Sequence, residues 1–410
     1  MRIFSARPRK YKAIVLGAGY RGRAYADYAK AHPGELEIVG VADPENARSI
    51  PAPRYWKDWR ECLADRPEAD IVMITMPDSL HYEPALLALE AGYHLLLEKP
   101  ISPTEEQCRE VIAKALEKKR LVIVGHVLRY TPYFGHIKAI LDSGEIGEVV
   151  SIAHQESAGF FKVAHSYCRG NWANSKKSSP IIIAKCSHDF DLFAWWIGKP
   201  CRKVNSFGSI KVFRPENKPA GAATRCSECP AHIERNCIWS AIKMYIKYDN
   251  LKYLFADRSP EAMERLVRET EYGKCVYNCD NDVPDHQTVN MEFEGGATVC
   301  HVMAGFTERN VRTTRISCTR GEIVGNGKTL HICRFDGNDV ETGVPLVLRV
   351  SNPSRHGGGD FNLVAAMLRM LSRDNPQEIA QVTAQALESH VIAFAAERSR
   401  LEGGRTIELH

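Results

Sequence analysis

The stretch "YKAIVLGAGYRGRAYADYAKA", residues 11–31, decides the first part of the fold. Its apolar run at 13–16 predicts a buried parallel strand. Gly17, Gly19 and Gly22 follow with the spacing G-x-G-x-x-G, and an amphipathic helix comes next. The first glycine permits a tight turn, the second lets a pyrophosphate approach the backbone, and the third lets the helix lie close to the strand. Because the motif follows a strand and opens a helix, it predicts a dinucleotide-binding βαβ unit.

A second predicted strand, residues 35–43, ends in Asp43. An acid about twenty residues past such glycines suits the hydroxyls of the adenosine ribose. A carboxylate would repel a 2′-phosphate, so Asp43 favours NAD over NADP. Arg48 lies close enough along the chain to keep NADP as the alternative.

Three more apolar runs, at 70–77, 93–100 and 120–126, predict strands, and helical patterns separate them. This alternation predicts an α/β fold with a doubly wound parallel sheet, whose ligands bind beyond the carboxyl ends of the strands. The residues expected to bind the cofactor, at the glycine-rich turn and at these strand ends, are Gly17, Gly19, Tyr20, Arg21, Gly22, Asp43, Thr75, Pro77, His81, Glu98, Lys99 and His126.

The length of 410 residues predicts about two domains, which we place at 1–128 and 129–410. The net charge of +4 is mild and does not indicate a nucleic-acid binder. The sequence contains neither an apolar run long enough to span a membrane nor an apolar signal core at its start. We therefore expect a cytoplasmic protein, in which the thirteen cysteines are thiols or metal ligands rather than disulfides.

The chain resembles the Gfo/Idh/MocA oxidoreductases, named after glucose–fructose oxidoreductase, inositol dehydrogenase and rhizopine catabolism. The motifs that carry the resemblance are "GAGYRG" at 17–22, "EKP" at 98–100, "HDFDLFAWWIG" at 188–198 and the closing "IAFAAERSRLEGGRTIEL". The resemblance implies an N-terminal Rossmann domain and a C-terminal α/β domain with a large, mostly antiparallel sheet. It also implies a homodimer or homotetramer that assembles through the open face of that sheet.

The resemblance further implies a carbohydrate substrate, namely a sugar, a polyol or a derivative. In the family, the lysine of Glu-Lys-Pro lies near the nicotinamide and the reacting hydroxyl, and the helix histidine is usually the proton acceptor or donor. Lys99 and His188 match these positions. Family members often carry an Asp four residues before the histidine, where this chain has Ala184, with Lys185 beside it. Lys185 is therefore expected to bind an oxygen-rich or anionic part of the substrate.

A helix is predicted from Ser187, as its cap, to Gly198, which would close it. His188 and Asp191 are three residues apart and share a face, so Asp191 could hold the imidazole in one tautomer. Aromatic and planar polar groups nearby suit a sugar, and a glycine-rich turn at 355–360 could bring His356 and Asp360 to the crevice. The residues expected to bind substrate are Arg129, Tyr130, His165, Arg169, Trp172, Lys185, Asp191 and His356.

A cysteine-containing insertion near 211–284 is not needed by the simple fold. It contains Cys226, Cys229 and Cys237, followed by Cys275 and Cys279. We predict a structural zinc site formed by thiolates, with Cys226, Cys229, Cys237 and Cys279 as the ligands. An iron–sulfur cluster and a set of buried free thiols are the alternatives.

Three functions are compatible with these residues. The first is an NAD-dependent oxidoreductase in which His188 accepts a hydroxyl proton and a charged Lys99 stabilises the alkoxide, or in which Lys99 itself is the base. The second is a glycoside-cleaving enzyme that oxidises a sugar ring transiently, eliminates the aglycone, adds water and reduces the product back. The third is a sensor that binds NAD or a sugar without turnover, which the presence of both Lys99 and His188 disfavours.

Overall fold

The computed structural model describes residues 9–248, 255, 257–335, 346–347 and 356–409. The first part of the chain forms a parallel six-stranded sheet with the order β3-β2-β1-β4-β5-β6. This order is that of the doubly wound dinucleotide-binding fold, so the predicted fold class is confirmed. The strands are β1 (Tyr11–Leu16), β2 (Leu36–Ala42), β3 (Arg54–Trp56), β4 (Ile71–Ile74), β5 (His94–Leu97) and β6 (Val122–Val124).

Helices cover both faces of this sheet, and the four that connect its strands are α1 (Tyr20–Ala31), α2 (Trp59–Ala64), α3 (Tyr82–Glu90) and α4 (Glu105–Glu117). Alternate residues of each strand point to opposite faces. Ala13 and Val15 pack with α1 on one face, whereas Ile14 and Leu16 pack with α2, α3 and α4 on the other. Burial on both faces explains why the strands read as continuous apolar runs in the sequence.

The second part of the chain is built on a nine-stranded, mostly antiparallel sheet with the order β14-β13-β12-β11-β7-β10-β9-β8-β15. Among its described strand pairs, only the neighbours β7 and β10 run parallel. The strands are β7 (Val149–Ala158), β8 (Cys201–Ser209), β9 (His286–Phe293), β10 (Thr298–Ala304), β11 (Asn310–Cys318), β12 (Gly321–Gly325), β13 (Thr329–Arg334), β14 (Leu346–Val347) and β15 (Ile407–Glu408). One face of the sheet packs on helices and the other faces outward, as the alternating burial of β9 illustrates.

The helices of this second part are α5 (Pro132–Ser143), α6 (Phe160–Val163), α7 (Ile181–Ala184), α8 (Ser187–Ile197), α9 (Ala231–Asn236) and α10 (Pro260–Glu269), and a π-helical segment spans Ala164–Arg169. Gly198 ends α8 in the left-handed conformation, as expected. Ser187 does not cap this helix: Cys186 is the cap residue, and the Ser187 hydroxyl is buried without a hydrogen-bond partner in the structure.

The chain then returns to the first domain through α11 (Gly359–Arg373), α12 (Pro376–Gln385) and α13 (Glu388–Leu401). Leu363, Met367 and Leu371 of α11 belong to the same apolar core as the residues of β1 and α1. Ile392 and Ala396 of α13 pack instead in the core of the second domain. The helix α11 therefore supplies part of the wall of the Rossmann domain, although it follows strands β7 to β14 of the second sheet in sequence.

Among the residues that the structure describes, no helix is both long and apolar enough to cross a membrane.

Candidate active site

The glycine-rich turn between β1 and α1 has the geometry of a phosphate cradle. Gly17 has a φ of +97°, and a Cβ there would lie 2.8 Å from the main-chain nitrogen of Met76. A Cβ at Gly22 would collide with the carbonyl oxygen of Gly17. At Gly19, by contrast, no atom lies within 4 Å of a built Cβ, and no side chain caps the helix that starts here. The amides at the start of α1 are thus available to an anion, and a pyrophosphate fits this open position.

The carboxylate of Asp43 lies beside this turn. One oxygen accepts a hydrogen bond from the amide of Ala18 at 2.8 Å, and the other accepts from the amides of Glu45 and Asn46 at 2.9 and 2.6 Å. Arg48, the residue on which the NADP alternative rests, is exposed and stacks over the ring of Tyr55.

Two histidines hold the segment that follows β5. The ring nitrogens of His81 lie 2.8 Å from the carbonyl oxygens of Met76 and Pro100. The Nε2 atom of His390 accepts a hydrogen bond from the amide of Ile101 at 3.0 Å. His81 was expected to bind the cofactor. In the structure both of its ring nitrogens contact backbone carbonyl oxygens, one of them at Pro100, next to Lys99.

Glu98 is the centre of a buried charged network. It accepts hydrogen bonds from Arg21 and from the hydroxyl of Tyr25, each at 2.6 Å, and Arg21 also pairs with Asp360 on α11 at 2.8 Å. Burial alone would raise the pKa of Glu98, but Arg21 and Tyr25 outweigh it and lower that pKa. Arg21 and Glu98, both expected to bind the cofactor, therefore join the first strand–helix turn to the C-terminal helices.

Lys99 ends β5 and reaches across to the second domain. Its Nζ atom donates a hydrogen bond to the carbonyl oxygen of Ala184 at the end of α7, at 2.5 Å. Burial lowers the pKa of Lys99; the carboxylate of Glu98 opposes this, and the charge of Lys185 adds to it. Two ammonium hydrogens remain for other partners, because a lysine has three donors.

His188 lies in the first turn of α8, four residues after Ala184, and is half-buried. Its pKa is well below the usual value, first because of burial and second because of the positive charge of Lys99. The imidazole is therefore neutral at pH 7 and can accept a proton. Its Nδ1 atom is buried and has no hydrogen-bond partner among the described residues.

Asp191 contacts residues other than His188, so the predicted tautomer-fixing pair is absent from the described contacts. Both of its oxygens bind the guanidinium of Arg129, at 2.8 and 2.5 Å, and it also lies 3.3 Å from Nδ1 of His126. Burial raises the pKa of Asp191, but Arg129 and His126 outweigh it and lower the pKa to about 2. The ring of His126 makes an edge contact with His188, which places this cluster directly behind the histidine.

Arg129 and Asp191 therefore form a bidentate ion pair, and the hydrogen-bonding groups in this pair are not available to a sugar. Tyr130, next to Arg129, packs against the core of the first domain, and burial raises its pKa to about 12. Thr75 donates a hydrogen bond to the carbonyl oxygen of Gly17, and Pro77 precedes the turn that leads to His81. These strand-end residues shape the crevice mainly through the backbone.

A buried ionic cluster lies between α8 and the sheet. Lys185 pairs with Glu156 on β7 at 2.5 Å, and Arg312 on β11 pairs with Glu156 at 2.8 Å and with Asp189 at 2.6 Å. His154 contacts the same Asp189 at 3.2 Å. Lys185 is thus held by an acid of its own domain at the edge of the crevice.

Three other residues that were expected to bind substrate, His165, Arg169 and Trp172, have their described contacts within the second domain. His165 stacks on Tyr272 at 4.8 Å and bonds to the Tyr245 hydroxyl, inside the aromatic core of the insertion. Arg169 donates to the carbonyl oxygens of Lys274 and Trp239, both at 2.7 Å. In the structure these two side chains attach the insertion to the domain.

Trp172, which was also expected to bind substrate, is half-buried and packs on the apolar core of the second domain, 6.2 Å from the ring of Tyr167. The side chain of His356 lies outside the described residues, although the residue opens the turn that precedes α11.

The cysteine positions do not support the predicted zinc ligands. Within the described part of the chain, one group of three possible ligand atoms lies within 4.8 Å, and it comprises Cys186, Asp189 and His301 rather than any cysteine of the insertion. The Cys279 thiol donates a hydrogen bond to the carbonyl oxygen of Cys275 at 3.4 Å, and the neighbouring Cys168 is the first cause of a lowered pKa at Cys279. All thirteen cysteines are free thiols.

Several site residues were not found from the sequence. Glu156 and Arg312 lie on strands where the burial alternates, and an ionised residue in phase with Ile152 or Ile316 was the available signal. Asp360 was named only as a partner of His356, and nothing in the local sequence singles out His390. Lys162 also lacked a signal, since the short helix that carries it follows no regular pattern.

The comparisons with known proteins match this architecture. The model "Oxidoreductase family, NAD-binding Rossmann fold" of the Gfo/Idh/MocA family matches residues 11–126, and the model of its "C-terminal alpha/beta domain" matches residues 138–331. The chain belongs to the Gfo/Idh/MocA oxidoreductase family and is an enzyme with an NAD-binding Rossmann domain.

The chain is 23% identical to YteT of Bacillus subtilis over 382 residues, which cover 84% of this chain and 86% of YteT. It is 24% identical to inositol 2-dehydrogenase of Salmonella typhimurium over 50% of this chain and 58% of that protein. It is 30% identical to 2,7-anhydro-N-acetylneuraminate hydratase of Mediterraneibacter gnavus over 47% of this chain and 51% of that protein. The last two alignments span little more than half of those relatives.

Among solved structures, levoglucosan dehydrogenase in complex with NADH and L-sorbose superposes with a TM-score of 0.70 and 19% identity. The superposition covers 98% of this chain and 99% of that chain. At this identity the likeness establishes the shared fold.

Proposed function

We propose that the chain oxidises a CH–OH group of a sugar, polyol or sugar derivative by hydride transfer to NAD. The observation that carries the proposal is the approach of Lys99 to the α7–α8 segment, where its ammonium group bonds to the carbonyl oxygen of Ala184 and His188 lies in the first turn of the next helix. A proton acceptor and a cation thus lie together beyond the carboxyl end of β5, where ligands of such sheets bind.

The bound nicotinamide supplies the carbon that accepts the hydride. His188, neutral at pH 7, takes the proton of the reacting hydroxyl. Lys99 donates a hydrogen bond to the same oxygen and stabilises the negative charge that develops on it. The lowered pKa of Lys99 keeps the alternative in which Lys99 is itself the base.

The proposed cofactor is NAD rather than NADP. Asp43 lies at the end of β2 with its carboxylate oriented by three amides, where it would meet the ribose hydroxyls. The same charge would repel a 2′-phosphate.

A second candidate is the glycoside-cleaving reaction without net oxidation. The residue four positions before His188 is Ala184, which offers Lys99 only a carbonyl oxygen, and the neighbouring Lys185 is paired with Glu156. The similarity to a hydratase, whose name describes addition of water, supports this candidate.

One experiment separates the two candidates. The purified chain is mixed with NAD and a panel of free sugars and aryl glycosides, while reduced nicotinamide and released aglycone are followed together. Accumulation of reduced cofactor with a free sugar would establish the oxidoreductase. Aglycone release without net reduction, lost when NAD is stripped, would establish the second candidate.

We also propose a homodimer or homotetramer that assembles through the outward face of the nine-stranded sheet, where Phe207 is 58% exposed. The thirteen free thiols support a reducing compartment, and we propose the cytoplasm. The molar mass measured by light scattering tests the assembly.

A further inference from the structure

Lys162, on the short helix α6, is a half-buried cation without a partner. Among the described residues it makes neither an ion pair nor a hydrogen bond through its ammonium group. Burial, and after it the charges of Lys185 and Lys99, lower its pKa to about 8, although Glu156 opposes them. An ammonium group in such a position is costly unless an anion approaches it.

The neighbouring carboxylates already have partners. Glu156 binds both Lys185 and Arg312, and Asp189 binds Arg312 and His154. Asp78, the next acid that acts on Lys99, accepts two hydrogen bonds from Ser179.

Lys162 differs from the other cations at this end of the crevice because no described carboxylate pairs with it. Lys185 and Arg312 bind Glu156, Arg312 also binds Asp189, and Glu98 is the carboxylate that acts most strongly on Lys99. Lys99 is needed near the reacting oxygen, and Lys185 and Arg312 are neutralised by their partners. Lys162 alone has its charge left for a ligand.

We propose that the substrate is a sugar acid, whose carboxylate binds Lys162 while its reacting hydroxyl lies at Lys99 and His188. This inference rests on the proposed function and adds the charge of the substrate. A carboxylate fits better than a phosphate, because a phosphate usually takes a bidentate arginine or the start of a longer helix. Arg312 is occupied by two carboxylates, and α6 has only four residues.

The test compares matched acids and neutral sugars on the NAD-loaded protein by calorimetric titration: D-glucuronate with D-glucose, D-galacturonate with D-galactose, and N-acetylneuraminate with N-acetylmannosamine. We expect at least one acid to bind more than tenfold more tightly than its neutral counterpart. Lys162→Met should weaken the binding of that acid by about 10- to 100-fold, which corresponds to the loss of one charge-assisted hydrogen bond. The affinity for the neutral sugar should stay the same.

Two further variants complete the design. Lys162→Arg keeps the charge and should keep the preference for the acid. Lys176→Met removes an exposed lysine of the nearby 164–180 segment and should change nothing. Equal binding of acid and neutral sugar in all pairs, or an acid preference that survives Lys162→Met, would overturn the proposal.

The outcome is separable from that of the proposed function. Oxidation of neutral sugars as readily as acids would retain the oxidoreductase and reject the sugar acid. Tight binding of an acid with neither NAD reduction nor aglycone release would retain the sugar acid as the ligand and reject the proposed function.

Discussion

The ammonium nitrogen of Lys99 lies 2.5 Å from the carbonyl oxygen of Ala184, and this bond joins the end of the Rossmann strand β5 to the helix pair α7–α8. The bond fixes the lysine at the place where the two domains meet. Ala184 ends α7 and His188 lies in the first turn of α8, with Lys185 and Cys186 between the two helices, so the bond holds Lys99 near the start of α8.

Lys99→Ala should abolish turnover and leave NAD affinity nearly intact. The ammonium acts on the reacting oxygen rather than on the phosphates, so we expect kcat to fall by about 10²- to 10⁴-fold. The measurement is steady-state turnover of the substrate identified by the panel, together with NADH binding by fluorescence. Lys57→Ala, an exposed lysine, is the control. A large loss of NAD affinity with unchanged kcat would contradict the assignment.

The pH profile should distinguish the two candidate bases. Because the pKa of His188 lies well below 6.5, the histidine is already neutral between pH 6 and 8, and kcat/KM should be flat in that range. If Lys99 is the base, it must first lose a proton, and kcat/KM should rise with pH until the pH passes the lowered pKa of Lys99. His188→Asn should remove the acidic limb in the first case and leave the profile unchanged in the second.

Gly19→Ala and Gly22→Ala should impair different properties, the first the affinity for NAD and the second the thermal stability. A Cβ at position 19 meets no protein atom and occupies the phosphate cradle, so the fold should stay intact while NAD binds more than about tenfold more weakly. A Cβ at position 22 collides with Gly17 and should lower the thermal stability of the cofactor-free protein. Normal NAD affinity in Gly19→Ala would place the cofactor elsewhere.

Asp43→Asn should weaken the discrimination against NADP. The amide oxygen can still accept from Glu45 and Asn46, the bond from the amide of Ala18 is lost, and the charge that repels a 2′-phosphate is removed. A charge pair at about 4 Å is worth about 1 kcal/mol even in water, so we expect the ratio of the two dissociation constants to shift by at least about fivefold. Glu45→Gln, at an exposed neighbour, should leave the ratio unchanged.

Asp191→Asn should lower the free energy of unfolding at pH 7 by at least about 2 kcal/mol, because it leaves Arg129 buried without its anion. The native pKa of Asp191 is about 2, below its unfolded value, so this stability is present above pH 4 and is lost as the pH falls through 2. Urea titrations at pH 7 and pH 3 should show the difference shrinking by about half. Asp280→Asn, which breaks the exposed pair with Lys177, should cost less than about 1 kcal/mol.

Local patterns predicted the Rossmann half well, because its strands are buried on both faces and its turn needs glycine at fixed positions. The same patterns located Lys99, Asp43 and the helix of His188. They failed for side chains whose partners are distant in sequence: Arg21 pairs with Asp360, and Arg169 was read as a sugar-binding fork although the insertion binds it. The local sequence around an arginine does not reveal whether its guanidinium binds a ligand or a distant part of the same chain.

Zinc was predicted from cysteine spacing alone, and spacing does not fix which thiols meet. In the structure the Cys279 thiol donates to the carbonyl oxygen of Cys275, and its pKa is lowered first by Cys168, a residue more than a hundred positions away. The strand pairing next to Cys226 brings Lys274 and hence Cys275 alongside it instead. Long-range pairing, which the sequence does not encode locally, determined the difference.

The return of α11 to the first domain has a consequence for synthesis on the ribosome. One face of the Rossmann sheet takes its cover partly from Leu363, Met367 and Leu371, which emerge after strands β7 to β14 of the second sheet. A nascent chain that has completed β6 therefore exposes an apolar strip until its last helices are made. Chaperones would meet this enzyme first at that strip, and a fragment cut before residue 359 would carry it permanently.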